Sequence, residues 1–497
     1  MREMTQSLAR EYGQTGYIPR VRDLVRRNLW FFVIGAAAAI LLRVIFILFF
    51  PSVVNDSFIY GDIAKNWMLH GTYGLSGAEG IVPTYIRLPG YPAFLASIFA
   101  ISGMEHYRAV LVVQMFVDLG TCVLCASIAL RLIGERSAKI AFLLAAMCPF
   151  LANYSAAALT ETLEIFFTTL ALDAAIRACQ TSAMRWWAVC GIACAAAILL
   201  RPDGAILPAV IVVYLGWQLI FGTSATNPPS SMIKAALVIA FFCVLPLVPW
   251  TLRNERVFHR FQPFVPRYAN EENEFVPMGF NRWVKTWLAD YASVEEVYWA
   301  VPGSPIDLDK LPSRAFDNPQ QRTDTEQLIT DYNQLLHVSP ALDARFSALA
   351  SERIRADPIR YYLGLPVLRV LDMWLRPRTE MLPSDSRWWE FNDEPKWSVI
   401  AVSLGLIGLC YWICALVGWL RVRQLAGSGV LLIFLAVRSG FLGTLENPEP
   451  RYTLEMLPIV IVFAAEALAS KRTTPSTRGA RGVSGLRGSN PAASRSF

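Results

Sequence analysis

Two carboxylates six residues apart, Asp56 and Asp62, stand directly after the first long apolar run of the chain, in NDSFIYGDIAKNWMLHGTYGLSGAEGIVPTYIRLPGYP. Glu79, Arg87 and a Pro-Gly-Tyr-Pro turn follow in the same stretch. Further along, charged residues recur at the edges of apolar runs: Glu161 and Glu164 in TETLEIFF, Arg201 and Asp203 in LLRPDG, and Arg253 in PWTLRN. The last group is Glu446, Arg451 and Tyr452 in LENPEPRY. Ionisable groups at a bilayer boundary are costly and need a reason. A carboxylate takes the proton from an attacking hydroxyl or amine, or helps to hold a divalent metal. A guanidinium grips phosphate through paired N–H bonds and stabilises its charge as it departs. The set predicts group transfer from a phosphate-bearing donor at one membrane face.

The elements that must hold these residues are apolar. Of the 497 residues 54% are hydrophobic and 17% charged, against about a quarter charged in soluble domains. Runs of roughly 20 apolar residues cross a bilayer, and ten such spans are expected, at about 29–50, 108–132, 137–153, 158–178, 186–200, 204–222, 233–252, 397–420, 427–445 and 454–470. The chain therefore reads as an all-α polytopic membrane protein. No cleavage pattern precedes the first run, which reads as a retained signal-anchor.

Charge placement orients it. Residues 1–28 are basic, the expected inner loops carry Arg131, Arg136, Lys139, Arg177, Arg185, Lys234, Arg421 and Arg423, and the outer segments carry few basic residues. Both termini are thus expected in the cytoplasm, with the chemically armed segments on the extracytoplasmic face of the cell inner (plasma) membrane. The net charge of +6 can be supplied by the tail 471–497 alone, which has six basic residues and no acid. Its Gly, Ser, Pro and Thr content predicts a disordered topology anchor rather than a nucleic-acid ligand.

The expected organisation is a cytoplasmic N-terminus 1–28, a transmembrane catalytic module 29–252 with a first outer loop 51–105, an extracytoplasmic insert 253–396, C-terminal spans 397–470 and the tail. Ala93–Ile101 is too short to span and reads as a juxtamembrane helix. In the insert, DTEQLITDYNQLL and SPALDARFSALASERIRADP show helical spacing, the second opened by Ser339-Pro340 and closed by Pro358. RYYLGLPVLRVLDMWL fits either an amphipathic surface helix or a further span. The nine cysteines lie in or beside apolar runs, and Cys122-Val-Leu-Cys125 has no second pair or His nearby, so packing is their expected role. The four histidines are scattered without ligand spacing.

The order of DSFIYGDIAKNWMLHGTYG, RLPGYPAFLASIFAISG, LTETLEIFFTTLAL, LLRPDG, VPWTLRNERVF and a terminal E-x(4)-RY before an apolar helix resembles the GT-C glycosyltransferases. Within them it is similar to the protein O-mannosyltransferase and lipid A aminoarabinose-transferase group, over most of residues 29–470. The resemblance implies a polyprenyl-phosphate-linked sugar donor, an envelope acceptor and inversion at the anomeric carbon. It implies Asp56 as the base, Glu161 as a second acid near the acceptor, and Arg87 and Arg253 on the donor phosphate. Arg201 and Arg451 are expected to share the phosphate, with Asp203, Glu446 and Tyr452 in support. Relatives often carry Asp-Glu where this chain has Asp56-Ser57, which leaves open whether Asp62 shares the catalytic role and whether Asp56 and Asp62 hold a divalent metal. No cofactor is otherwise implied, and no nucleic-acid or obligate protein partner is expected.

A polytopic lipid or solute transporter is the second reading. It favours ionisable residues near the bilayer midplane or broken helices in matched halves, whereas here the charges cluster at helix ends and no repeated halves are evident.

Overall fold

The computed structural model describes residues 20–221, 229–271, 273–391, 394–422 and 427–469. Arg423, most of the basic N-terminal stretch and the basic tail lie outside them. Six helices are long and apolar enough to cross a membrane: Leu29–Phe49, Tyr107–Leu132, Pro202–Phe221, Pro229–Phe258, Pro395–Val422 and Pro450–Ala469. The pair Glu135–Ala146 and Pro149–Ser155, bent by 50°, makes a seventh when counted as one span. Glu161–Thr181, Met184–Leu200 and Ser428–Gly443 complete the bundle. Each of the ten expected spans is helical, and the chain is a multi-pass membrane protein.

The bend has a definite cause. Pro149 lacks the N–H that would continue the ladder, and the preceding helix ends with carbonyls that need donors. Arg43, in the middle of the first span and fully buried, supplies them. Its Nη1 donates to the Ala146 carbonyl and its Nη2 to that of Ala145 at 3.2 Å. Its Nε donates to Asp118 Oδ2 of the neighbouring helix at 2.6 Å. In lipid every backbone polar group must be satisfied internally, so a guanidinium fork with its counter-ion can hold a broken helix there. The chain then turns at Ala156–Thr160, where Ser52 exchanges backbone hydrogen bonds with Ala156 and Ala158 at 2.9 Å, and enters Glu161–Thr181.

Small residues set helix spacing elsewhere. A Cβ on Gly418 would lie 1.8 Å from the Phe463 carbonyl oxygen, so the Pro395–Val422 and Leu457–Ala469 helices cross at a distance that only glycine allows there.

The loop after the first span, residues 51–105, is more ordered than its polar sequence suggests. Asn55–His70 is a helix, followed by an antiparallel hairpin of Gly74–Gly77 and Gly80–Pro83. Gly71 closes the helix in the left-handed region (φ 68°). The expected juxtamembrane helix is Gly90–Ser102. The hairpin is the one sheet among the described residues, and the chain is otherwise helical as expected.

The insert has its own core, in which Phe280, Trp283, Trp287, Ile329, Tyr332 and Phe346 pack together. It contains the expected helices at Pro319–Leu335 and Pro340–Ala356, the latter capped by Ser339. At RYYLGLPVLRVLDMWL the π turn Arg360–Gly364 runs directly into the helix Leu365–Leu375, and this segment is not among the helices of the described residues that are long and apolar enough to cross a membrane. Trp374 packs against Trp412 of a span (centroids 4.0 Å apart). The buried Arg369 donates to the carbonyls of Leu288, Lys285 and Gly443. This helix therefore fastens the insert to the end of the Ser428–Gly443 helix.

Candidate active site

Five chain segments and two stretches of the insert converge on a cavity of about 820 Å³ at one end of the bundle. Asp56 stands in the first turn of the Asn55–His70 helix, and Arg87 lies on the return from the hairpin. Thr160 and Glu161 open the helix after the bend. Arg201, Pro202 and Asp203 join two helices. Glu446, Glu449, Arg451 and Tyr452 lie at the C-terminal edge. The roof comes from the insert, through Val265–Ala269, Tyr298 and Trp299.

Asp56 sits between two guanidinium groups. Arg87 Nη2 donates to Asp56 Oδ1 at 2.9 Å, and Arg451 Nη1 is 3.9 Å from Oδ2. Arg451 also reaches Glu161 at 3.7 Å and Glu449 at 2.5 Å. Glu161 is 4% exposed; its Oε1 is 3.6 Å from Arg201, and its Oε2 has no hydrogen-bond partner among the described residues. Arg201 additionally faces Glu164 at 3.7 Å and Asp203 at 3.3 Å and lies over the Tyr452 ring. The Tyr452 hydroxyl donates to Glu449 at 2.6 Å. Tyr60, under Arg87, has its phenol pushed up to about 12 by burial, so it remains a neutral hydroxyl. Glu446 is held by Arg267 at 2.6 Å and Lys285 at 3.6 Å.

Two expected site residues stand elsewhere. Asp62 does not line the cavity. Its two oxygens accept from the Ser76 N–H and hydroxyl, both at 2.7 Å, and Lys65 lies 3.3 Å away. The helix turns Asp62 toward the hairpin because six residues is not a whole number of turns, and its role is to anchor that hairpin. Arg253 also lies off the cavity. It donates to the carbonyls of Thr84 at 2.8 Å and Tyr73 at 2.6 Å, and packs over Tyr73, Trp250 and Phe258. The Tyr73 hydroxyl in turn donates to the Arg87 carbonyl at 2.9 Å. Arg253 thus braces the turn that presents Arg87 and does not itself reach the cavity.

A divalent metal does not fit at Asp56 and Asp62. Asp62 is committed to the hairpin, and the neighbours of Asp56 are cations, which repel a further one. Among the described residues no group of three or more His, Cys, Asp or Glu is arranged to hold a metal ion.

Other residues at the site had escaped the sequence reading. Arg438, 1% exposed, lies beneath the cavity and pairs with Asp203 at 2.7 Å, with Glu164 at 3.8 Å and with Glu455. Its signal was a lone arginine inside SGVLLIFLAVRSGFLG. Glu449 was hidden between Glu446 and Arg451 in a motif read for its ends. Arg378, deep in the insert sequence, donates to the Pro450 carbonyl and the Thr453 hydroxyl, fixing the turn that carries Arg451 and Tyr452. Nothing in its local sequence marks it.

Comparison with known proteins adds three findings. A family model described as dolichyl-phosphate-mannose-protein mannosyltransferase matches residues 86–250, 165 of the 497 residues. No curated protein matches. Among solved structures, the Archaeoglobus fulgidus oligosaccharyltransferase complex with Zn and sulfate is 15% identical at a TM-score of 0.48, covering 88% of this chain and 48% of that one. ArnT from Cupriavidus metallidurans bound to undecaprenyl phosphate is 13% identical at a TM-score of 0.39, covering 87% and 77%. The chain thus spans about half the length of the oligosaccharyltransferase it matches. Through the stretch that carries Arg87, Glu161, Arg201 and Asp203, the chain is similar to the dolichyl-phosphate-mannose-protein mannosyltransferases.

Proposed function

We propose that this protein is a membrane glycosyltransferase of the GT-C type, moving a sugar from a polyprenyl-phosphate-linked donor to a nucleophilic group of an envelope glycolipid, polysaccharide or protein. The observation that supports it most is the meeting of Asp56, Arg87, Glu161, Arg201 and Arg451, from separate segments, on one cavity wall. The match of residues 86–250 to a mannosyltransferase family points the same way.

In this reading the donor's lipid tail lies against the apolar lining residues Leu200, Ile206, Phe441 and Leu445, and its phosphate sits at Arg87 and Arg451. The Asp56 carboxylate takes the proton of the acceptor O–H or N–H as that oxygen or nitrogen bonds to the anomeric carbon. The bond from that carbon to the phosphate oxygen breaks, its electron pair stays with the leaving phosphate, and the configuration inverts. Arg87 and Arg451 meet the charge that develops there. They share Asp56 before the donor binds, so the base and the phosphate clamp are set beside each other. Glu161, with a free buried oxygen, orients the acceptor, and Arg201 with Asp203 and Tyr452 backs that wall. The insert residues over the cavity select the acceptor. The cavity opens on the extracytoplasmic face of the cell inner membrane, with both termini cytoplasmic. Its volume is in the range of about 300–1,000 Å³ common for small-ligand sites.

The test is transfer by purified protein in liposomes, supplied with radiolabelled polyprenyl-phosphate sugars and an envelope extract. A positioned base contributes about 10²–10⁴-fold, so Asp56→Asn should lose that much turnover while staying folded. Undiminished turnover in Asp56→Asn removes Asp56 from the mechanism. Substrate translocation with no glycosidic product replaces the enzyme with a transporter.

A further inference from the structure

At the end of the bundle opposite the cavity, a second charged cluster stands on the helices that carry cavity residues. Glu161 opens the Glu161–Thr181 helix and Arg177 lies near its other end, while Arg185 and Arg201 stand at the two ends of the Met184–Leu200 helix. At 1.5 Å per residue the second pair is about 25 Å apart, close to the thickness of a bilayer's hydrocarbon core. Arg131 arrives beside them at the far end of the Tyr107–Leu132 helix, whose Tyr107 hydroxyl donates to the Ser57 carbonyl next to Asp56. The cluster is positive. Asp173, its side chain 1% exposed, holds Arg177 Nε at 2.6 Å and Arg131 Nε at 3.5 Å. The Ser127 hydroxyl donates to Asp173 at 2.7 Å and accepts from Arg177 at 2.8 Å. Among the described residues no other carboxylate pairs with Arg131 or Arg177, and none pairs with the exposed Arg185. Three guanidinium groups thus meet one carboxylate. The Arg131 side chain is only 6% exposed, where an unmatched charge is costly.

We propose that Arg131, Arg177 and Arg185, with Trp186, form a site for the phosphate of an anionic lipid in the leaflet opposite the active-site cavity. Arg177 and Arg185 lie against one ring, that of Trp186, at 4.6 and 5.7 Å from its centroid. Guanidinium groups held this way suit a phosphate, which takes their paired N–H bonds, and an indole at the end of a span belongs at the headgroup level. Arg131 works from behind: by sharing Asp173 it leaves Arg177 incompletely neutralised. The occupant is a lipid rather than a soluble anion because an apolar surface continues from the cations into the bilayer. Ile192, seven residues from Arg185 and so on the same face of the helix, is 54% exposed. Basic pockets between spanning helices recognise lipid headgroups in this way. A bound lipid crosses the turn that joins the two helices, fastening together the elements that carry Glu161 and Arg201. The site is independent of what the cavity transfers.

Native mass spectrometry of the purified protein, titrated with phosphatidylglycerol, tests this without reference to activity. The ionic strength is set to about 0.15 M, where exposed charges more than about 8 Å apart are screened. Wild type should retain one phosphatidylglycerol more tightly than zwitterionic phosphatidylcholine. Arg185→Gln should weaken that binding about fivefold or more, whereas Arg136→Gln, an exposed arginine at the same end of the bundle, should leave it within about twofold. Trp186→Leu removes the ring and keeps every charge; it should also weaken binding, and it serves alone if Arg185→Gln does not fold. Equal retention of the two lipids, or equal losses in Arg185→Gln and Arg136→Gln, means diffuse attraction and overturns the proposal. Unchanged binding in Trp186→Leu and Arg185→Gln overturns it as well. Glycerol 3-phosphate at the same concentration should not displace the lipid; if it does, the site takes soluble phosphate and the lipid assignment falls.

Discussion

Arg43 offers the sharpest test of how the bundle is held. Its side chain is fully buried with Asp118 (0% and 2% exposed) and donates to that carboxylate and to the carbonyls of Ala145 and Ala146. Arg43→Met removes the fork but leaves Asp118 alone in the bilayer. Breaking a buried pair from one side costs about 3–5 kcal/mol, and this range agrees with the ~2.5–3.5 kcal/mol cost of one central charge in a spanning helix. Arg43→Met/Asp118→Leu removes the stranded charge as well. What remains is the loss of three carbonyl hydrogen bonds, to Ala39, Ala145 and Ala146, at about 0.6 kcal/mol each in membrane proteins, so the double variant should be about 2 kcal/mol below wild type. Asp118→Leu, which strands Arg43, costs the same about 3–5 kcal/mol, so the two single costs together exceed that of the double variant by about 4–8 kcal/mol. Reversible unfolding in mixed micelles would give all four values. A cost under about 1 kcal/mol for Arg43→Met, with no recovery in the double variant, would refute the reasoning that the pair holds the break. Because the helix past the break leads to Glu161, transfer activity in Arg43→Met should fall with stability.

Two further outcomes concern residues that the fold moved off the cavity. Burial raises the Asp62 carboxyl, but the two hydrogen bonds from Ser76 and the nearby Lys65 outweigh it and hold it below its usual value. The hairpin should therefore keep this anchor above about pH 4, the unfolded value of a carboxyl, and lose it as the pH falls through the lower folded value; Asp62→Asn should speed amide exchange at residues 74–83 at pH 7 and abolish this acid sensitivity. Arg253→Ala removes charged hydrogen bonds worth about 1.5–3 kcal/mol each from the turn that presents Arg87. Donor KM should rise at least tenfold, and a normal KM would show that Arg87 needs no such brace.

Several elements were legible because they depend on local pattern. The spans follow from apolar runs of bilayer length, and Ser339-Pro340 opens its helix as capping chemistry requires. Asp56, Arg87, Glu161, Arg201 and Arg451 announced themselves as charges at the ends of apolar runs. Sequence could not separate Asp56 from Asp62, since the direction of each carboxylate depends on helix phase and on a hairpin with weak strand signals. It read Arg253 by its motif, although the stacked rings of Tyr73, Trp250 and Phe258 settle where that guanidinium points.

By itself the sequence determined a many-spanned helical bundle, a long polar insert and clusters of charge at the ends of apolar runs, because hydrophobic length and charge at boundaries are properties of short segments. Only the tertiary structure decided which charges share a cavity and which serve the scaffold. Arg43, Arg378 and Arg438 owe their roles to carbonyls and carboxylates far away in the chain. Such pairings form only when the helices pack, where the low dielectric makes each unpaired group costly enough to fix its partner.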